Sequence, residues 1–180
     1  MLAPFYDHLI KPRERDRFLE LVNLPVKGTL LDAGGGTGRA AQVFQGLASE
    51  IVVADLSYAM LQQAIGKGAL AAVCTQIERL PFPTGFFDRA IMVDALHHVL
   101  DQQTVANELW RTVKPGGRIV IEEPDISKAS VKLIALAEKI AFMRSHFLPP
   151  SKIRGLFAEY GTKMQVIQED YTAWIIVDKL

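Results

Sequence analysis

A unit made of a strand, a glycine turn, a helix and a second strand constrains the fold of this chain more than any other feature. Residues 28–32 have the composition of a short buried strand, and residues 33–38 follow with four glycines. Apolar spacing over residues 37–48 predicts a helix, and residues 51–55 form a β-branched run that ends in an acid. Because neither strand alternates polar and apolar residues, we expect parallel strands with both faces covered.

The alternation of strands and helices continues along the chain. Further strands are predicted over residues 71–74, 88–94 and 118–122, and helices over 57–65, 102–113, 127–147 and 151–160. Two last strands, 164–167 and 173–177, are joined by a short connection and must therefore be antiparallel. We predict a doubly wound α/β sheet in a single domain that spans residues 1–180.

Composition limits the classes of function. The 20 basic residues balance the 20 acidic residues, so the net positive field of an unspecific nucleic-acid binder is absent and no nucleic-acid partner is expected. The single Cys74, expected to be a buried strand residue, excludes an internal disulfide, and the four histidines lack zinc-ligand spacing, so no metal is expected. Without a membrane-length apolar run or the pattern of a signal peptide, the sequence predicts a cytoplasmic protein.

The glycine turn and two acids predict a ligand site. Gly34, Gly36 and Gly38 form a G-x-G-x-G pattern, which either lets the backbone approach a ligand or makes only a tight turn. Asp55, at the end of the second strand, can accept hydrogen bonds from a ribose; the alternative is a solvated acid or a helix N-cap. Asp32 precedes the glycines, where an acid suits a cationic ligand group or a bond to loop amides.

Several segments, in order, resemble the motifs of class I S-adenosylmethionine-dependent methyltransferases of the small-molecule type. They are residues 30–38, 55–61, 78–82 with 87–88, 97–99 and 108–117. The resemblance covers about residues 28–124. It implies a Rossmann-like fold with a seven-stranded, mostly parallel sheet and an antiparallel last strand. It also implies S-adenosylmethionine as cofactor, S-adenosylhomocysteine as product and a small-molecule methyl acceptor.

The resemblance assigns cofactor-binding roles to particular positions. Gly34 and Gly36 would contact the methionine part, Asp32 would order their loop, and Asp55 would bind the ribose. The remaining cofactor-binding assignments are Leu56 and Met60 against the adenine, Gln76 and the backbone N–H of Ile77 at its ring edge, and Asp94 or its carbonyl at the ammonium group. Gln76 stands where the family usually has an acid, which implies weaker binding.

The acceptor side is less defined. Methyl transfer from a sulfonium is an in-line displacement that needs a general base only when the acceptor carries a proton. His97 is the candidate catalytic residue, with a capping or core role as the alternative, and His98 lies beside it. Glu122 and its neighbours Glu123 and Asp125 end the fifth strand near the same crevice, either in contact with substrate or as solvated acids. Residues 94–97 lack the Asn/Asp-Pro-Pro-aromatic motif, which disfavours DNA adenine methylation.

Two regions outside the motifs carry their own hypotheses. Residues 1–27 are expected to form an N-terminal helical lid, in which Tyr6 either reaches the cofactor carboxylate or packs in the core. Residues 125–150 are expected to form a helical insertion that covers an apolar substrate, packs as core or makes a homodimer contact. The alternative functions are a nicotinamide-dependent dehydrogenase and a non-catalytic S-adenosylmethionine-binding scaffold protein, the latter suggested by Gln76.

Overall fold

A computed structural model describes residues 12–68, 70–140, 145–160 and 162–180 of the chain. Its centre is a seven-stranded sheet with the order β3-β2-β1-β4-β5-β7-β6. The strands are β1 (Val26–Ala33), β2 (Ala48–Asp55), β3 (Ala71–Cys74), β4 (Phe87–Val93), β5 (Val113–Pro124), β6 (Lys163–Glu169) and β7 (Thr172–Asp178). β7 is antiparallel to its neighbours β5 and β6, while β1 to β5 pair in parallel. The predicted fold class is therefore confirmed.

Helices cover both faces of this sheet. They are α1 (Pro12–Val22), α2 (Arg39–Val43), α3 (Tyr58–Gly66), α4 (Gln102–Thr112), α5 (Ala129–Ile140) and α6 (Pro150–Gly155). Successive strand residues point to opposite faces, so Leu30 belongs to a core with α1, α2 and α3, and Leu31 to a core with α4 and α6. This double coverage explains why the strands are apolar throughout. Within the described part of the chain, no helix is long and apolar enough to cross a membrane.

Several helix and strand boundaries differ from the sequence predictions. α2 ends at Val43 rather than Ala48, because the chain reverses through Gly46 (φ +79°) and Ala48 already pairs with Val26 in the sheet. β5 begins at Val113 rather than at residue 118, because residues 115–117 are absorbed as an irregularity in its pairing with β4. The predicted helix over 127–147 is too long, since residues 145–149 are not helical.

The termination before α6 has a local cause. Pro149 and Pro150 disfavour a helical conformation in the residue before each of them. The backbone N–H of His146 also donates to the carbonyl of His97 at 2.7 Å, a partner 49 residues away rather than one in the same helix. These contacts replace the last turn of the predicted helix.

Cys74 is exposed, not buried as the sequence predicted. It lies on β3, an edge strand with only one paired neighbour, and its Sγ donates to the carbonyl of Leu56 at 3.4 Å. Burial was inferred from the apolar run alone, which does not distinguish an edge strand from a central one.

The two proposed regions outside the motifs are only partly described. In α1, Phe18, Leu21 and Val22 are buried against the sheet. Tyr6 lies outside the described residues. In α5, Val131 is buried while Leu133 and Leu136 are exposed. The boundaries of a lid and of an insertion stay predictions.

Candidate functional site

The candidate site lies where the parallel strands end. β1, β2, β4 and β5 finish at the same edge of the sheet, and the strand order reverses between β1 and β4. In open α/β sheets a crevice forms outside the carboxyl ends of the strands at such a reversal. The glycine loop of residues 34–38 follows β1 and the segment of residues 94–98 follows β4, so both lie at this edge.

The glycine loop has no room for side chains at its first turn. Gly34 has φ +71° and donates its N–H to the carbonyl of Ala54 at 2.7 Å. A Cβ at Gly34 would lie 2.7 Å from the Cβ of Ala95, closer than real Cβ contacts. Gly36 also has a positive φ, +53°, which favours glycine. The loop therefore presents bare backbone to the crevice.

Asp55 ties this loop to the end of β2. Its Oδ2 accepts the N–H of Gly36 at 2.9 Å, and its Oδ1 accepts the N–H of Ser57 at 2.7 Å. The N-cap of α3 is Ser57, whose Oγ accepts the N–H of Met60. The N-cap alternative for Asp55 thus does not apply. Each carboxylate oxygen has two lone-pair sites, so Asp55 retains acceptor capacity toward a ligand hydroxyl.

Asp32 lies beneath the loop and is fully buried. Its Oδ2 accepts the N–H of Ala41 in α2 at 3.2 Å, whereas its Oδ1 has no hydrogen-bond partner among the described residues. A Cβ at Gly35 would overlap the Asp32 carboxyl group. Burial, with a smaller contribution from the charge of Asp55, raises the pKa of Asp32 to about 7. The geometry matches support of the loop and α2 rather than direct exposure to a ligand.

The residues assigned to the adenine lie at the end of β2 and beside it. Leu56 is 68% exposed, and a Cβ at Gly36 would lie 3.1 Å from the Cε of Met60. Gln76 is exposed and precedes a 3-10 turn, Ile77–Arg79, in which Ile77 is buried. The N–H of Thr75 donates to the carbonyl of Asp55 at 2.9 Å, which brings this turn next to the end of β2.

Asp94 lies across the crevice from the glycine loop. It has φ +50°, rare for a non-glycine residue, and its N–H donates to the carbonyl of Glu122 at 3.0 Å. Its carboxylate is 45% exposed and 3.5 Å from the guanidinium of Arg39, the first residue of α2. The sequence analysis did not identify Arg39, although its place directly after the last glycine puts it at the crevice.

His97 is held in a buried network with Glu123. Its Nδ1 lies 2.6 Å from Oε2 of Glu123, and the two side chains are 5% and 3% exposed. The other oxygen of Glu123 accepts the N–H groups of Ala95 and Leu96, and the His97 ring stacks on Phe147 at 4.3 Å. This matches the capping or core alternative for His97 better than contact with a substrate.

The acids that end β5 differ from the solvated group considered as an alternative. Glu123 and Asp125 are buried, and Asp125 accepts hydrogen bonds from Ser127 and Gln168. Glu122 is partly buried, and its Oε2 accepts the indole N–H of Trp174 at 3.0 Å. No group of His, Cys, Asp and Glu suited to a metal ion occurs among the residues that the structure describes.

Comparison with known proteins places these features in a family context. A family model described as "Methyltransferase domain" matches residues 31–121. The ubiquinone/menaquinone biosynthesis C-methyltransferase UbiE of Coxiella burnetii (strain Dugway 5J108-111) is 35% identical over 104 residues, which are 52% of this chain and 42% of that protein. UbiE of Edwardsiella ictaluri is 29% identical over 150 residues, 78% of this chain and 57% of that protein. The chain spans about half the length of these curated relatives.

Solved structures share the fold at low identity. Geranyl diphosphate C-methyltransferase from Streptomyces coelicolor has a TM-score of 0.78 at 13% identity, over 93% of this chain and 79% of that one. The YcgJ protein of Bacillus subtilis has a TM-score of 0.75 at 20% identity, over 88% and 71% of the two chains.

Proposed function

The chain belongs to the class I S-adenosylmethionine-dependent methyltransferases, and from that premise we propose that it transfers a methyl group from S-adenosylmethionine to a small-molecule acceptor. The observation that carries the proposal is the hydrogen bond from the N–H of Gly36 to the carboxylate of Asp55. This bond holds the glycine backbone, which carries no side chain, next to the carboxylate of Asp55, which can accept further hydrogen bonds. A nucleoside joined to an amino acid needs both of these surfaces.

The residues present fit this cofactor. When bound, S-adenosylmethionine supplies a methyl group on a positively charged sulfur, which leaves as the neutral thioether of S-adenosylhomocysteine. Asp55 would accept hydrogen bonds from the ribose, and the exposed Leu56 with Met60 would cover one face of the adenine. Asp94, whose carboxylate is partly exposed, would contact the ammonium group of the cofactor's methionine part.

Further assignments complete the donor side of the proposal. Gln76 would accept a hydrogen bond from the adenine amino group through its amide oxygen, and Ile77 would donate its backbone N–H. Gly34 would let the backbone reach the methionine part, and Asp32 would hold the loop from below.

Alignment is the main catalytic contribution expected of this chain. Holding a nucleophile in line with a reactive carbon can supply as much as about 7–11 kcal/mol. Burial of His97 and its pairing with Glu123 support a positioning role for His97 at the wall of the crevice.

We propose a small molecule as the methyl acceptor, without assigning its identity. The relatives named above are a C-methyltransferase of quinone biosynthesis and a geranyl diphosphate C-methyltransferase, and this chain covers only part of the former. The cytoplasmic location and the homodimer stay predictions. No observation among the described residues favours the dehydrogenase or the scaffold alternative.

Calorimetry and product analysis together test the function. We expect S-adenosylmethionine and S-adenosylhomocysteine to bind and NADH not to bind. Phenols, amines, thiols and carboxylates would then be offered with a labelled methyl donor, and products read by mass. Binding of NADH alone would favour the dehydrogenase, and cofactor binding without any methylated product would favour the scaffold.

A further inference from the structure

The two glutamates at the end of β5 point to opposite faces of the sheet. Glu123 follows Ile121 on the face that carries α4 and α6, and its two oxygens are occupied by three hydrogen bonds. Glu122 follows Val120 on the other face, the side of the glycine loop and α2. The two neighbouring acids therefore have separate surroundings and separate roles.

Glu122 lies on the acceptor side of the crevice. It is in register with Val93 at the end of β4 and with Trp174 near the start of β7. Asp94, placed by the proposed function at the ammonium group of the donor, is bonded to the backbone carbonyl of Glu122. Since the proposed function places the donor between β1 and Asp94 at the end of β4, we assign the acceptor to the β5 side of Asp94, where Glu122 is the next acid along the edge.

The hydrogen bonding of Glu122 leaves one oxygen available. The indole N–H of Trp174 donates to Oε2, and no other hydrogen bond to this carboxylate occurs among the described residues. An indole N–H can only donate, so it orients the carboxylate without competing for a proton. Oε1 is the oxygen that can accept a proton from a ligand.

The charged groups around Glu122 suit a proton acceptor at neutral pH. Partial burial and then the charge of Asp94 raise the pKa of Glu122 to about 7, with a smaller effect in the same direction from Glu123. Arg39 from α2 and the hydrogen bond from Trp174 on β7 act in the opposite direction. A general base works best when its pKa is near the operating pH.

We propose that Glu122 is the general base that removes the proton from a hydroxyl, thiol or ammonium acceptor during methyl transfer. The inference rests on the proposed function. As the bond between the acceptor atom and the methyl carbon forms, the bond from that carbon to the donor sulfur breaks, and its electron pair stays on the sulfur. A hydroxyl or thiol gives its proton to Oε1 of Glu122 as the new bond forms, and an ammonium group gives it beforehand, because its nitrogen must first regain a lone pair. Glu122 becomes a neutral carboxylic acid and later releases the proton to water.

Acceptors of different acidity provide the first test. Glu122→Gln keeps an oxygen that accepts from Trp174 but removes the base, so methyl transfer to phenol should fall about 100-fold. Transfer to pentafluorophenol, which is already ionised at neutral pH, should change less than about twofold, because no base is needed. Glu50→Gln is the matched control, because Glu50 is exposed near the start of β2, away from the crevice at the other end of the strand. It should leave transfer to both phenols unchanged.

A spectroscopic titration provides a readout that does not depend on turnover. Trp110→Phe leaves Trp174 as the only tryptophan, and its emission should follow the protonation of the carboxylate bonded to it. We expect a transition near the pKa of about 7, absent when Glu122→Gln is added. Trp174→Phe removes the hydrogen bond that stabilises the ionised carboxylate of Glu122, so the pKa of Glu122 should rise. The acid limb of the profile of methyl-transfer rate against pH should therefore move to higher pH.

The outcomes separate the inference from the proposed function. Equal loss of transfer to both phenols, or a fluorescence transition that persists in Glu122→Gln, would overturn the role of Glu122 alone. If the unmodified chain binds S-adenosylhomocysteine but methylates no acceptor, the proposed function fails, and the role of Glu122 with it.

Discussion

The two halves of the crevice hold their acids by different means. On the side of β1 and β2, the hydrogen bonds that Asp55 accepts from described residues come from the backbone N–H groups of Gly36 and Ser57, 19 and 2 residues away. On the side of β4 and β5, Glu123 binds the ring of His97 and Glu122 binds the indole of Trp174, across 26 and 52 residues of sequence. We call the first side the donor half and the second the acceptor half, after the roles proposed for them. The acid of the donor half is held by backbone N–H groups, whereas the acids of the acceptor half are also held by side chains from remote segments.

This difference has a functional consequence. A cofactor common to a family needs the same backbone surface in every member. Acceptors differ between members, and the side chains of the acceptor half can be exchanged without changing the glycine loop. We therefore expect the two halves to respond separately to mutation.

The largest effect should come from the buried pair in the acceptor half. His97→Ala leaves the Glu123 carboxylate buried without its ring partner, which should lower the free energy of unfolding by about 3–5 kcal/mol. Urea denaturation measures this change. His98→Ala, an exposed neighbour, should change it by less than about 1 kcal/mol. Calorimetry at low temperature should show unchanged affinity of folded His97→Ala for S-adenosylhomocysteine; a large loss would mean that the halves are coupled.

The next effect concerns the backbone surface of the donor half. Gly34→Ala places a Cβ against Ala95 and strains a positive φ, so the affinity for S-adenosylhomocysteine should fall about 100-fold, or about 2.7 kcal/mol. Gly46→Ala introduces a comparable strain, with φ +79°, but no atom lies within 4 Å of its new Cβ. Calorimetry on both variants separates the effect of backbone strain from that of the steric contact with Ala95. Equal losses of affinity would show that the contact with Ala95 is unimportant.

Asp32, buried beneath the glycine loop, should make the stability of the chain depend on pH. The pKa of Asp32 is about 7 in the folded chain and about 3.9 when unfolded, so the unfolded state releases its proton first as the pH rises. This contribution lowers the free energy of unfolding progressively between about pH 4 and pH 7. Asp32→Asn removes it, so the variant should gain stability relative to the unmodified chain over that range. A constant difference across the range, measured by urea denaturation, would contradict the buried acid.

The smallest expected effect is on the ribose contact. Asp55→Ala should weaken binding of S-adenosylhomocysteine about tenfold or more, because a charge-assisted hydrogen bond contributes about 1.5–3 kcal/mol. Asp101→Ala removes an acid that caps α4 and should cost about 1 kcal/mol of stability without affecting affinity. An unchanged dissociation constant for Asp55→Ala would remove the assignment of Asp55 to the ribose.

Much of the donor half could be predicted from local sequence. The glycine turn and the N-cap at Ser57 are set by neighbouring residues. The acid at the end of β2 is recognised by its place after an apolar strand, although its hydrogen bond to Gly36 spans 19 residues. The hairpin of β6 and β7 was predicted for the same reason, since a short connection permits only antiparallel pairing.

Tertiary structure alone decided which side of the sheet each acid serves. Periodicity identified β5 but not that Glu123 would meet His97 while Glu122 met Trp174, because those contacts depend on the order of the strands. The exposure of Cys74 likewise follows from β3 being an edge strand. Local hydrogen bonds and steric limits act between neighbours and can be inferred from residue types. Contacts between remote segments exist only after the sheet has assembled, and its strand order determines them.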